Sequence, residues 1–125
     1  INLEGPALKL AKAFCPGPLT IVAPDSTGGT IGFRMPDHPL IHEILKIFKS
    51  PLAATSANRS GQAPALSMRA ALEDICGKPD IAIDGGDLHP KAQASTVVEV
   101  SDGNFKILRP GPITEEMIKA ALFNQ

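Results

Sequence analysis

The 125-residue chain contains no Trp and no Tyr, and it has only two Cys. Cys15 and Cys76 are too few for a disulfide scaffold, and their spacing matches no metal motif. A reducing cytoplasm is the default compartment for such a chain. No apolar run approaches the roughly 20 residues of a membrane-spanning helix. The opening residues INLEGPALKLAKAF lack the basic start and apolar block of a signal peptide. Charge of one sign is missing too. The 12 basic and 13 acidic residues leave a net charge of −1, so the bulk balance does not drive nucleic-acid binding. There is no glycine-rich phosphate loop closing on Lys-Ser/Thr, no internal repeat and no low-complexity tract. The chain begins with Ile1 rather than Met, which suggests a fragment or a processed chain.

What is abundant is Pro, 12 residues, and Gly, 11, which predicts short elements joined by sharp turns. With 43% hydrophobic and 20% charged residues, the composition is that of a globular protein. The length fits one domain over residues 1–125, with no internal boundary.

Pattern and punctuation predict the elements. Residues 6–14 form a helix, with Pro6 at its first turn, Leu8, Ala11 and Phe14 on one face, and Pro16 as a stop. LTIVAP (19–24) is a strand, and TIGFRM (30–35) alternates so that Arg34 takes the polar face. HPLIHEILKIF (38–48) carries a helical stripe. PLAAT (51–55) and IAID (81–84) are expected to be short strands. Ser67 caps a helix running to about Ile75, which Gly77 ends. TVVEV and FKILR form a hairpin around Asp-Gly, and Thr114 caps a last helix with Met117, Ile118, Ala121 and Leu122 on one side. Interleaved strands and helices argue for an α/β fold, a twisted open mixed sheet with packed helices.

Few residues could carry chemistry. PLAATSANRSGQAP (51–64) brings Thr55, Ser56, Asn58 and Ser60 together beside Gly61. Small hydroxyls and an amide next to glycine suit a phosphate or a carboxylate, and ligands gather at the carboxyl ends of strands in open α/β sheets. The same residues make turns and helix caps, and spacing alone favours that simpler reading. Arg34 could grip an anion bidentately or stand solvated on the surface. Ser95 and Thr96 begin one strand of the hairpin and Arg109 ends the other, so antiparallel pairing should bring hydroxyls beside a guanidinium. His38, His42 and His89 lack the companions of a metal site, and Asp84-Gly-Gly-Asp87 is better read as a turn.

The order PGPLT, FRMP, PLAATSANRSG, ASTVVEV, ILRPG, running from about Leu8 to Pro112, resembles the YrdC/Sua5 family of L-threonylcarbamoyladenylate synthases. The resemblance implies a twisted open α/β sheet with a concave cavity. It implies synthesis of threonylcarbamoyl-AMP and pyrophosphate from L-threonine, bicarbonate and ATP. The product feeds threonylcarbamoyl modification of adenosine 37 in tRNA by a downstream threonylcarbamoyltransferase complex. Ser56 and Asn58 match the family's catalytic S-x-N pair, which helps bind the nucleotide and its Mg2+-held phosphates, with Thr55 beside them. Arg34 matches the arginine that grips threonine. Ser95, Thr96 and Arg109 match residues lining the nucleotide and substrate cavity.

The family's N-terminal segment, with a P-T-D/E-T-x-Y-G-L type motif and a K-x-R pair, has no match here; Lys9 and Lys12 lie in a different context. The expectation is a C-terminal portion of a synthase domain, inactive alone. Two other readings stay open. One is a non-catalytic module binding tRNA, double-stranded RNA or the ribosome through Arg34, Arg59, Arg69, Lys106 and Arg109. The other is a related carbamoyl-adenylate enzyme acting on carbamoyl phosphate.

Overall fold

The computed structural model describes residues 3–124. They divide into two compact units, one built from the chain up to Pro39 and again from Gln93, the other from Leu40–Ala92. No helix among the described residues is long and apolar enough to cross a membrane.

The first unit holds helix α1 (Gly5–Phe14), strands β1 (Leu19–Pro24) and β2 (Thr30–Arg34), strands β3 (Thr96–Ser101) and β4 (Asn104–Arg109), and helix α4 (Glu115–Phe123). The strands form one sheet in the order β2-β1-β3-β4. The outer pairs are antiparallel and the central β1–β3 pair is parallel, so the sheet is mixed. This matches the α/β reading. Alternation fixes the faces: Leu19, Ile21 and Ala23 of β1 and Thr96, Val98 and Val100 of β3 are all buried. They share a core with Ala7 and Leu10 of α1, Ile113, and Ile118 and Leu122 of α4. Met117, expected on the core stripe of α4, is 41% exposed. The opposite face carries Thr20, Val22, Val97 and Glu99, all half-buried.

Turn chemistry sets the strand register. Asp102 and Gly103 both take positive φ, 38° and 82°, as the two-residue turn of the β3–β4 hairpin demands. In the β1–β2 connection, Asp25 Oδ1 accepts hydrogen bonds from the Thr27 hydroxyl (2.7 Å), Thr27 N (2.8 Å) and Gly29 N (2.9 Å). These bonds, the Thr27 hydroxyl foremost, hold the Asp25 carboxyl below its ordinary pKa. A lowered native pKa contributes stability above the unfolded value, and that contribution is lost as pH falls through the native one. Asp25→Ala should therefore flatten the acid limb of the stability curve, read from thermal melts between about pH 2 and pH 7.

The second unit holds helices α2 (Pro39–Phe48) and α3 (Met68–Asp74). Ser67 caps α3 by accepting from Ala70 N at 3.1 Å. The expected strands at 51–55 and 81–84 do not form. Both segments are exposed, with Leu52, Ile81 and Ile83 at 49%, 78% and 56%. A strand needs a partner for its backbone groups, and among the described residues neither segment has one.

Candidate anion site at one end of the sheet

Four strand positions fall in one row across the sheet. Arg34 of β2 pairs with Thr20 of β1, Thr20 with Val97 of β3, and Val97 with Arg109 of β4. Direct cross-strand partners share a face, so two guanidinium-bearing residues flank this row. The row lies at the N-terminal ends of the parallel pair β1 and β3, and at the C-terminal ends of β2 and β4.

Ser95, immediately before β3, is the hub. It is only 4% exposed. The Arg109 guanidinium donates to its carbonyl from Nε (3.1 Å) and Nη2 (2.8 Å), and Nη2 also donates to its hydroxyl at 3.1 Å. The hairpin thus places the guanidinium beside the hydroxyl, as antiparallel pairing implies. The Ser95 hydroxyl also hydrogen-bonds Thr20 Oγ1 at 2.8 Å. One edge of the guanidinium is spent on holding its position, while Nη1 has no protein partner among the described residues. An arginine fixed in this way presents its Nη1 donors, already positioned, to an anionic oxygen. Arg34 is exposed, and its side chain has no hydrogen bond or ion pair among the described residues.

Thr96 points to the other face. It is fully buried, its hydroxyl donates to Ile113 O at 2.8 Å and accepts from Ile113 N at 2.9 Å, and its backbone N–H donates to Pro18 O at 3.0 Å. These bonds tie the RPGP segment after β4 to the start of β3. Gly111 packs directly on this junction. A Cβ there would stand 2.5 Å from Thr96 N, 2.7 Å from Ala94 O and 2.8 Å from Thr96 Oγ1.

Thr55, Ser56 and Asn58 belong to the second unit. Thr55 and Ser56 are exposed, and neither hydroxyl has a protein partner among the described residues. Asn58 organises the turn that follows: its Nδ2 donates to Arg59 O and Gln62 O, both at 2.9 Å, and Gly61 takes a φ of 82°. Its Oδ1 is buried with no hydrogen-bond partner. Turn and site are therefore not alternatives at this loop, because the turn itself leaves an acceptor unspent. An orphaned neutral oxygen fits a hard cation or a ligand donor. Among the described residues, no group of three His, Cys, Asp or Glu could hold a metal ion by itself. Of the cations considered for an RNA-binding face, Arg59 donates from Nε to Asp74 O at 2.9 Å and Arg69 pairs with Glu73 at 3.0 Å.

A cavity of about 220 Å³ lies elsewhere, lined by Pro6, Lys9, Leu122 and Phe123 among others, and Lys9 Nζ there donates to Leu122 O at 3.2 Å. Cys15 is not an activated nucleophile, since burial pushes its thiol pKa up.

Thr20 and Gly111 were missed as contributors to the site. The signal for both was present: Thr20 closes PGPLT and Gly111 follows ILRP. A threonine on a strand and a glycine between prolines read locally as propensity and turn.

Comparison with known proteins places the chain in a family. A family model, Sua5/YciO/YrdC, described as telomere recombination, matches residues 2–111. A threonylcarbamoyl-AMP synthase of Pyrococcus abyssi is 38% identical over 122 residues, which cover 90% of this chain and 36% of that protein. One from Bacillus subtilis is 36% identical over 135 residues, covering 97% and 39%. The crystal structure of P. abyssi Sua5 complexed with L-threonine superposes with a TM-score of 0.84 at 33% identity, covering 98% of this chain and 38% of that one. The chain thus spans well under half the length of these three proteins.

Proposed function

The chain belongs to the Sua5/YciO/YrdC family, and on that premise we propose that its protein is a threonylcarbamoyl-AMP synthase. The substrates are L-threonine, bicarbonate and ATP, and the products are threonylcarbamoyl-AMP and pyrophosphate. The observation that carries this reading is the Arg109 guanidinium pinned on Ser95 with Nη1 unspent. It stands in a fold shared with a threonine-bound structure.

The chemistry asks for charge neutralisation and positioning rather than a covalent nucleophile. Threonine and its carbamate carry carboxylates, and ATP carries phosphates. Arg34 is assigned to the threonine carboxylate. Arg109 and Ser95 are assigned to negative oxygens of substrate and nucleotide. Thr96 contributes to the nucleotide site by holding the segment after β4, since its hydroxyl is committed to Ile113. In the second unit, Ser56 and Asn58 are assigned to the phosphates, with Thr55 beside them. Asn58 Oδ1, with its lone pairs unspent, would help hold Mg2+ arriving with ATP, which would supply charge neutralisation on the phosphates. The product would pass to a tRNA-modifying threonylcarbamoyltransferase complex, and a cytoplasmic setting suits the two free thiols. The relatives support this reading and not the RNA-binding alternative.

The test is product analysis with the full-length protein. Incubation with L-threonine, bicarbonate, ATP and Mg2+ should yield threonylcarbamoyl-AMP by mass spectrometry, with one pyrophosphate per product. Omission of any one substrate should abolish the product. Absence of product from the complete mixture would refute the assignment.

A further inference from the structure

The Thr20 hydroxyl has a geometry that calls for a role of its own. A serine hydroxyl has one hydrogen and two lone pairs, and so does a threonine hydroxyl. Arg109 Nη2 takes one lone pair of Ser95 Oγ. The 2.8 Å contact between Thr20 Oγ1 and Ser95 Oγ consumes one hydroxyl hydrogen, whichever residue donates it. The pair owns two such hydrogens, so one remains unspent in either direction. If Thr20 donates, both Ser95 lone pairs are filled and Ser95 can only give a hydrogen bond onward. If Ser95 donates, the spare hydrogen sits on Thr20. The pair therefore keeps one hydroxyl hydrogen to donate onward, next to the Arg109 guanidinium that holds Ser95.

Position supports the same conclusion. Thr20 is the cross-strand partner of Arg34, so its hydroxyl stands on the row between the two arginines. It is half-buried and Ser95 is nearly sealed from solvent, which limits competition by water.

We propose that Thr20 is a positioning residue that donates to Ser95 Oγ, so that, with Arg109 Nη2 on the other lone pair, the Ser95 hydroxyl is left to donate to an anionic oxygen of the substrate. The inference rests on the synthase reading and adds to it a residue that acts through Ser95. A hydroxyl pair biased to donate favours a carboxylate or phosphate oxygen and disfavours an ammonium group at the same spot.

The experiment is a double-mutant cycle in the full-length protein, read as the Kd for L-threonine in the presence of ATP and Mg2+, and as kcat and KM for product formation. Thr20→Val keeps the shape and removes the hydroxyl. It should raise the threonine Kd and KM about 3- to 10-fold, the span of one net hydrogen bond, with a smaller change in kcat. Thr20→Ser should restore wild-type values. In a Ser95→Ala background Thr20→Val should have no further effect, because the group it positions is gone. A merely structural threonine would give additive effects in that cycle and a loss of thermal midpoint paralleling the loss of affinity. Thr20→Ala is the second variant should Val distort the strand. The proposal is overturned if both Thr20→Val and Thr20→Ala bind threonine as wild type does, if Thr20→Ser fails to rescue, or if the effects add. Wild-type protein that neither binds threonine nor forms product would instead overturn the synthase reading, and this inference with it.

Discussion

Gly111→Ala should destabilise the protein by about 1–3 kcal/mol and sharply weaken anion binding. The methyl group would meet backbone atoms, Thr96 N and Ala94 O, rather than the tip of a flexible side chain. Neither atom can rotate away. Thr96 N donates to Pro18 O, and its neighbour Ser95 is held by Arg109. Relief must come from lifting residues 110–113 off the start of β3. That movement stretches both Thr96–Ile113 bonds and draws Arg109 away from Ser95. Stability and site geometry should thus fail together. Gly28→Ala is the control. Gly28 has a φ of +86° and open space around it, so alanine there brings only backbone strain, in a turn outside the site. Thermal melts and ligand titration of both variants separate the cases. A Gly111→Ala protein that melts and binds like wild type would show that the close approach is not required.

Arg109→Ala should cost about 10- to 100-fold in affinity for the anionic substrate, the range for a charge-assisted hydrogen bond. It removes the Nη1 donors and both donors to the Ser95 carbonyl. A nearly buried carbonyl left without those donors costs about 1–3 kcal/mol in stability as well. Arg109→Lys is the sharper probe. Lysine keeps the charge but cannot bond Ser95 through two nitrogens while offering a third to a ligand. Charge alone predicts near-full binding by the lysine variant; a positioned guanidinium predicts a loss close to that of alanine. The positioned-guanidinium account is contradicted if lysine retains wild-type affinity.

Much of the first unit was legible in the sequence because its signals are local. Asp102-Gly103 dictates its hairpin, Pro6 and Thr114 mark helix starts, and alternation in LTIVAP and TVVEV sets the buried face. The second unit was less legible. PLAAT and IAID have strand composition, but pairing is a long-range property that composition cannot supply. The same limit applied to the site. Ser95 and Arg109 could be placed side by side from the sequence because a hairpin joins them. Thr20 was missed because its contact with Ser95 crosses 75 residues of sequence. The rule that ligands gather at carboxyl ends of strands pointed to residues 51–58 and away from the row at the N-terminal ends of β1 and β3. The expectation for Thr96 needed the structure most: the residue type suggested a ligand contact, and its hydroxyl is committed to Ile113.

The most direct test of the central claim is calorimetric titration of the full-length protein with ATP and Mg2+, with and without L-threonine, repeated for Arg109→Ala. The account predicts that threonine strengthens nucleotide binding and that this coupling is lost with Arg109. Nucleotide binding indifferent to threonine, or coupling undiminished in Arg109→Ala, would contradict it.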